Sequence, residues 1–103
     1  MVNITLVCAG GMSTSMLMQK MKEAAKAKGV EIDVRAMAES AFASYDGQTD
    51  VLLIGPQLSF VYEKLRDQYE PQGMRVAVID MIDYGMMNGS KILDLALDLM
   101  EVG

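Results

Sequence analysis

Ile4-Thr5-Leu6-Val7-Cys8-Ala9-Gly10-Gly11-Met12-Ser13-Thr14-Ser15 is an apolar run that ends at a cysteine and passes through two glycines into a hydroxyl-rich stretch. Its first part predicts a strand over residues 4–8, and the adjacent glycines predict a turn. Beyond it, Leu17, Met21, Ala24 and Ala25 share one face of a helix over residues 13–28, with Gly29 as the stop signal. Strand, glycine turn and helix make one unit, and the rest of the chain repeats that alternation. Residues 30–36 predict a second strand, and residues 39–45 a short helix broken by Asp46-Gly47. Val51-Leu52-Leu53-Ile54 is apolar throughout, the pattern of a central strand buried on both faces. Gly55-Pro56 closes it ahead of a helix over residues 57–68, with Leu58, Val61, Tyr62 and Leu65 inward, and Pro71 and Gly73 end that unit. Residues 74–79 supply a fourth strand. A last helix over residues 90–102, entered through Asn88-Gly89-Ser90, turns Ile92, Leu93, Ala96, Leu97, Leu99 and Met100 inward.

Four strands joined by helical crossovers predict an α/β fold: a four-stranded parallel sheet with helices on both faces, because right-handed crossovers leave few other topologies. With strand order 2-1-3-4, the order reverses between the first and third strands, and ligands of such sheets bind at the carboxyl ends there. Gly55-Pro56-Gln57 is then set beside the Cys8 loop.

Composition narrows the rest. A chain of 103 residues, 51% hydrophobic and 22% charged, predicts a single globular domain over residues 1–103. No apolar run approaches the roughly 20 residues that span a bilayer, and no basic segment leads into a hydrophobic signal core, so the expectation is a cytoplasmic protein without membrane insertion. One cysteine and no histidine leave neither an internal disulfide nor a zinc or transition-metal cluster, so the expected chemistry needs no metal and no cofactor. The net charge of −5 disfavours nucleic acid. Lys20, Lys22, Lys26 and Lys28 recur at helical spacing, which reads as a solvated face; docking of an acidic partner is the alternative.

A free cysteine is often only a small buried hydrophobe. Here the residues after Cys8 argue otherwise, since two glycines and three hydroxyls pack a core poorly and suit an anion. A strand ending at a thiol before a glycine turn and a helix aims backbone N–H groups at whatever the sulfur holds. The same dipoles favour thiolate, so Cys8 is a candidate phosphocysteine, with Ala9, Gly10, Gly11, Met12, Ser13, Thr14 and Ser15 as the phosphate cradle.

The stretch from Cys8 to Ser15, together with Gly55-Pro56-Gln57 and Val78-Ile79-Asp80 followed by Tyr84-Gly85, closely resembles the enzyme IIB component of the phosphoenolpyruvate-dependent sugar phosphotransferase system, in its lactose, cellobiose and chitobiose branch. The resemblance covers nearly the whole chain. It implies a phosphotransferase in which Cys8 accepts a phosphoryl group from a phosphohistidine of a IIA partner and passes it to a sugar carried by the membrane transporter IIC. It also implies a fold similar to the low-molecular-weight tyrosine phosphatases. Their loop runs cysteine, five residues, arginine, then serine or threonine; counting from Cys8 puts Thr14 at the arginine position and Ser15 at the hydroxyl position. The guanidinium clamp and an Asp-Pro acid are both missing, which suits a carrier that must hold phosphocysteine without hydrolysing it.

Three classes therefore stay open: the carrier; a hydrolase of the small phosphatase or arsenate reductase type; and an anion-binding regulatory module with Cys8 as a phosphorylatable switch. Among the eleven methionines, Met21, Met37 and Met100 read as core filler. Met12, Met16, Met86 and Met87 read either as packing or as an adaptable apolar rim for IIA and IIC. Gln57 either donates to a phosphate oxygen or caps its helix. Asp80, Asp83 and Tyr84 follow the fourth strand and either face the same edge or form a turn, the second favoured because carboxylates repel a phosphoryl group. The acidic composition suits a monomer that meets its partners transiently.

Overall fold

A computed structural model describes residues 1–8 and 14–101. One parallel sheet holds four strands, β1 Val2–Val7, β2 Ile32–Met37, β3 Val51–Ile54 and β4 Arg75–Val78, in the order β2-β1-β3-β4. The helices are α1 Thr14–Lys28, α2 Glu39–Ala43, α3 Tyr62–Tyr69, α4 Met81–Gly85 and α5 Gly89–Glu101. The strand order and the helices on both faces are as the alternation in the sequence predicts.

The period of two along the strands sorts the core into two layers. Ile4, Leu6, Cys8, Val34, Val51, Leu53 and Ile79 point to one face and meet Leu17, Met21 and Ala25 of α1 and Ile92, Leu93 and Ala96 of α5. Val7, Leu52, Ile54 and Val76 point to the other and meet Phe42 of α2, Val61, and Leu65 of α3. All four residues of β3 are fully buried, as a strand covered on both faces requires.

Two glycines are fixed by geometry. Gly29 has φ +71, and Val30 N–H donates to the Ala25 carbonyl at 2.9 Å, closing α1 with a left-handed residue. At Gly89 a β-carbon would come within 2.5 Å of the Lys20 backbone, so glycine is what lets the start of α5 cross α1 closely. Asn88 Oδ1 accepts from Lys91 N–H at 3.1 Å, capping α5 as the Asn-Gly-Ser entry predicts.

Several predicted elements differ. The helix expected over 57–68 is a 3-10 helix over Pro56–Val61, with Leu58 at φ −112 and ψ 21, before α3 begins. Leu58 N–H reaches back to the Gly55 carbonyl at 2.9 Å, the tighter bond that a proline at the first position starts. Strands one and two are shifted by one or two residues, and the fourth is shorter at each end. A 3-10 turn over Glu70–Gln72 and the five-residue α4 are additions, too short to show a 3.6-residue period. Of the expected core methionines, Met21 is fully buried and Met37 half-buried, whereas Met100 is 40% exposed in the last turn of α5, where Leu99 is the residue that packs on the core.

Candidate functional site

Cys8 follows the last residue of β1, and the parallel ladder continues one step past the strands to hold it. Cys8 N–H donates to the Met37 carbonyl at 3.3 Å, Gly55 N–H to the Val7 carbonyl at 2.8 Å, and Ile79 N–H to the Ile54 carbonyl at 2.8 Å. Cys8, Gly55 and Ile79 therefore lie in a row at the carboxyl edge, with Cys8 and Gly55 flanking the point where strand order reverses.

Gly55 has φ −60 and ψ 146, a conformation open to any residue, so its backbone does not call for glycine. Space does. A β-carbon there would sit 3.4 Å from Cys8 Sγ and 3.4 Å from Gln57 Oε1, so the missing side chain leaves room directly beside the sulfur. It also places the Gln57 amide at that same spot, in the neighbourhood that Gly55-Pro56-Gln57 predicts. Gln57 is exposed, and among the described residues its amide caps neither the 3-10 helix nor α3.

The thiol is 6% exposed and belongs to the apolar cluster with Leu17 and Ile79. Burial pushes its pKa above the ordinary 9.0, and a hydrogen bond with the Tyr84 side chain pulls the other way without cancelling it. The sequence reading expected dipoles of the glycine turn to favour thiolate; among the described residues burial and Tyr84 act on the thiol, and burial prevails, which favours the protonated form. Tyr84 is thus a neighbour of the thiol, the reading of the two that the sequence disfavoured in preferring a turn former. Asp80 is instead the N-cap of α4, its Oδ1 accepting from Ile82 N–H at 2.8 Å, and Tyr84 stands one helical turn later. A capping Asp two residues past a strand end, with an aromatic four residues on, is the signal that was available.

Of the predicted cradle, Ala9, Gly10, Gly11, Met12 and Ser13 lie outside the described residues. Thr14 is the first residue of α1 and buried, and Ser15 beside it is exposed. The methionine rim divides: Met16 is 55% and Met86 75% exposed, whereas Met87 is half-buried and packs on the core. Met81 and Ile82 on α4 and Phe60 after β3, none of them singled out in the sequence, are 72%, 68% and 79% exposed. Met16, Phe60, Met81, Ile82 and Met86 all stand on segments that follow the carboxyl ends of β1, β3 and β4.

Comparison with known proteins gives a uniform result. The family described as "PTS system, Lactose/Cellobiose specific IIB subunit" matches residues 3–95. An oligo-beta-mannoside-specific EIIB component of Bacillus subtilis is 41% identical over 100 residues, 97% of each chain. A galactose-specific EIIB component of Lactococcus lactis subsp. cremoris is 40% identical over 95% of each chain. The solution structure of a cellobiose-specific phosphotransferase IIB component from Borrelia burgdorferi superposes with TM-score 0.76 at 41% identity, covering 95% of this chain and 90% of that one. At the level of fold alone, a YwlE mutant from Bacillus subtilis superposes with TM-score 0.56 at 15% identity over 97% of this chain and 99% of its own, in keeping with the expected similarity of fold to low-molecular-weight tyrosine phosphatases.

Proposed function

Since the chain belongs to the lactose/cellobiose-specific IIB subunits of the sugar phosphotransferase system and is a phosphotransferase, we propose that Cys8 is its phosphoryl carrier, loaded from a phosphohistidine of IIA and discharged to a disaccharide at IIC. The observation that carries this is the seat of Cys8 at the switch point of the sheet, beside the space that Gly55 leaves open. Relatives of 40–41% identity are named for oligo-beta-mannosides, galactose and cellobiose, which supports a carrier whose sugar is chosen outside this chain.

The chemistry balances without another group. In loading, the N–P bond of phosphohistidine breaks as the S–P bond forms, and the thiol proton ends on the imidazole. A protonated resting thiol is therefore a usable state, because it brings the proton the leaving nitrogen needs. In discharge, a sugar oxygen bonds to phosphorus, the S–P electron pair returns to sulfur, and the hydroxyl proton is the one that regenerates the thiol. The cradle from Ala9 to Ser13, with Thr14 and Ser15, would hold the phosphoryl oxygens, with Gln57 as a further donor. Met16 and Met86 belong to the apolar rim on which IIA and IIC dock in turn. Among the described residues no helix is long and apolar enough to cross a membrane, which suits a cytoplasmic monomer meeting IIC at its inner face.

The test is intact mass after incubation with phosphoenolpyruvate, the upstream carriers and a cognate IIA. One phosphoryl group on the native chain, absent from Cys8→Ser and persistent without IIC, is the expected result. No gain would sink the carrier; rapid loss with release of inorganic phosphate would put the hydrolase in its place.

A further inference from the structure

The Tyr84 hydroxyl is hydrogen-bonded to the Cys8 side chain. The tyrosine is half-buried on α4 and packs against the same apolar cluster that contains the thiol. Its position is fixed from behind, since Tyr84 N–H donates to the Asp80 carbonyl at 2.9 Å while the Asp80 carboxylate caps the helix start. We propose that Tyr84 is a catalytic residue of the phosphoryl relay, donating its hydroxyl hydrogen to Cys8 Sγ and bearing part of the charge the sulfur carries whenever the S–P bond is made or broken. This rests on Cys8 being the carrier.

The surroundings make such a donor necessary. Leu17 and Ile79, buried in the same cluster as the sulfur, offer nothing to a negative charge, and desolvation already disfavours thiolate. None of the charged side chains on the helices that pack on this face, among them Lys20 on α1, Asp83 on α4 and Lys91 on α5, shifts the thiol; burial and Tyr84 are the two influences on it among the described residues. A hydrogen bond to an ionised partner is about twice as strong as a neutral one, so the Tyr84 bond strengthens as the sulfur gains charge and favours the transition state over the thiol. A phenol also suits the place chemically. It can donate to sulfur without setting a carboxylate beside the phosphoryl group, as Asp80 or Asp83 would. Its target is the sulfur, whereas the cradle serves the phosphoryl oxygens, so the two devices act on opposite ends of the same bond.

Tyr84→Phe keeps the ring and removes the donor. The expected result is a thiol pKa about one unit higher, read from the pH dependence of alkylation by iodoacetamide, and loading by phosphorylated IIA about tenfold slower, with the thermal melt unchanged. A lost packing contact would move the melt and leave the alkylation profile alone. An unchanged thiol pKa and loading rate in a folded Tyr84→Phe protein would overturn the proposal. If that variant does not fold, the native chain labelled with 13C at tyrosine Cζ decides it. The Tyr84 resonance is expected to shift as the thiol titrates and to lose that titration in Cys8→Ser; a resonance indifferent to the thiol overturns the assignment. Failure of the carrier reading looks different, because the native chain would then take up no phosphoryl group at all.

Discussion

The two edges of the sheet are built on opposite plans. At the amino edge, Asp50 ties three strands: its N–H donates to the Asn3 carbonyl at 2.8 Å, its carbonyl accepts from Arg75 N–H at 3.0 Å, and its carboxylate accepts from Asn3 N–H at 2.8 Å and Asn3 Nδ2 at 3.1 Å. Next to it, the fully buried Thr5 hydroxyl shares a 2.8 Å hydrogen bond with Thr49 and accepts from Arg35 Nη1 at 3.2 Å, while the same nitrogen reaches the Gln48 carbonyl at 3.0 Å. Arg35 also lies over the Tyr45 ring, 5.5 Å from its centre. At the carboxyl edge the described polar groups beside the sulfur are the Tyr84 phenol and the exposed Gln57 amide, with a side chain missing at Gly55 and apolar residues facing out. The first edge spends its polar groups on one another and so holds the strands in register. The second leaves the Gln57 amide exposed and space beside the sulfur, and the carboxyl edge is where ligands of such sheets bind.

That contrast breaks hardest at Gly55. Gly55→Ala puts a methyl 3.4 Å from Cys8 Sγ, in space that a phosphoryl group on the sulfur would share, while φ −60 and ψ 146 cost alanine nothing. Loading from IIA is expected to fall by about a hundredfold, the scale on which an ångström of misplacement is felt, with denaturant stability equal to or slightly above native. A mass-spectrometric time course of phosphoryl uptake beside a urea melt reads both. Equal loading rates would mean that the phosphoryl group does not use the space beside Gly55.

The converse change is Thr5→Val. It preserves shape at a fully buried position but leaves Thr49 and Arg35 each short of a partner, which should cost about 1–3 kcal/mol. Loading is expected to be unchanged, because nothing at the carboxyl edge depends on that hydroxyl. A Thr5→Val protein as stable as native would show the network to be dispensable, and one that loads slowly would show the edges to be coupled.

The same division explains what the sequence made legible. β3 announced itself because four consecutive apolar residues between Asp50 and Gly55 have one physical use, and the strand order followed from handedness. Cys8, Gly55 and Gln57 were legible as neighbours because each follows a strand whose place in the sheet was settled. Tyr84 was not, since a five-residue helix has too few positions to display a period, and the chemistry of the adjacent carboxylates drew attention away from the phenol. Nor was the raised thiol pKa, because burial of Cys8 depends on Leu17 and Ile79 closing over it from other parts of the chain. The amino-edge network was equally hidden: Asn3, Arg35 and Asp50 meet only through strand register, and hydrophobic periodicity says nothing about polar pairing.

The smallest effects separate the edges by pH. For Asp50, burial raises the pKa, but the hydrogen bonds from Asn3 and Gln48 and the positive N-terminus outweigh it and hold the carboxyl below its ordinary 3.8. Between that value and the lower folded one the unfolded chain binds more protons, so stability due to Asp50 is present above 3.8 and is lost as pH falls through the folded pKa. For Cys8, burial outweighs the Tyr84 bond and the pKa lies above 9.0. There the folded chain holds the extra proton, so stability due to Cys8 is present below 9.0 and is lost as pH rises through the folded value. Urea melts across pH should therefore show Asp50→Asn flattening the acid limb alone and Cys8→Ser flattening the alkaline limb alone, the differences from native cancelling the titration of the other groups. If Cys8→Ser left the alkaline limb as it is, the thiol would not be desolvated in solution, and the protonated resting state on which the loading chemistry draws would have to be given up.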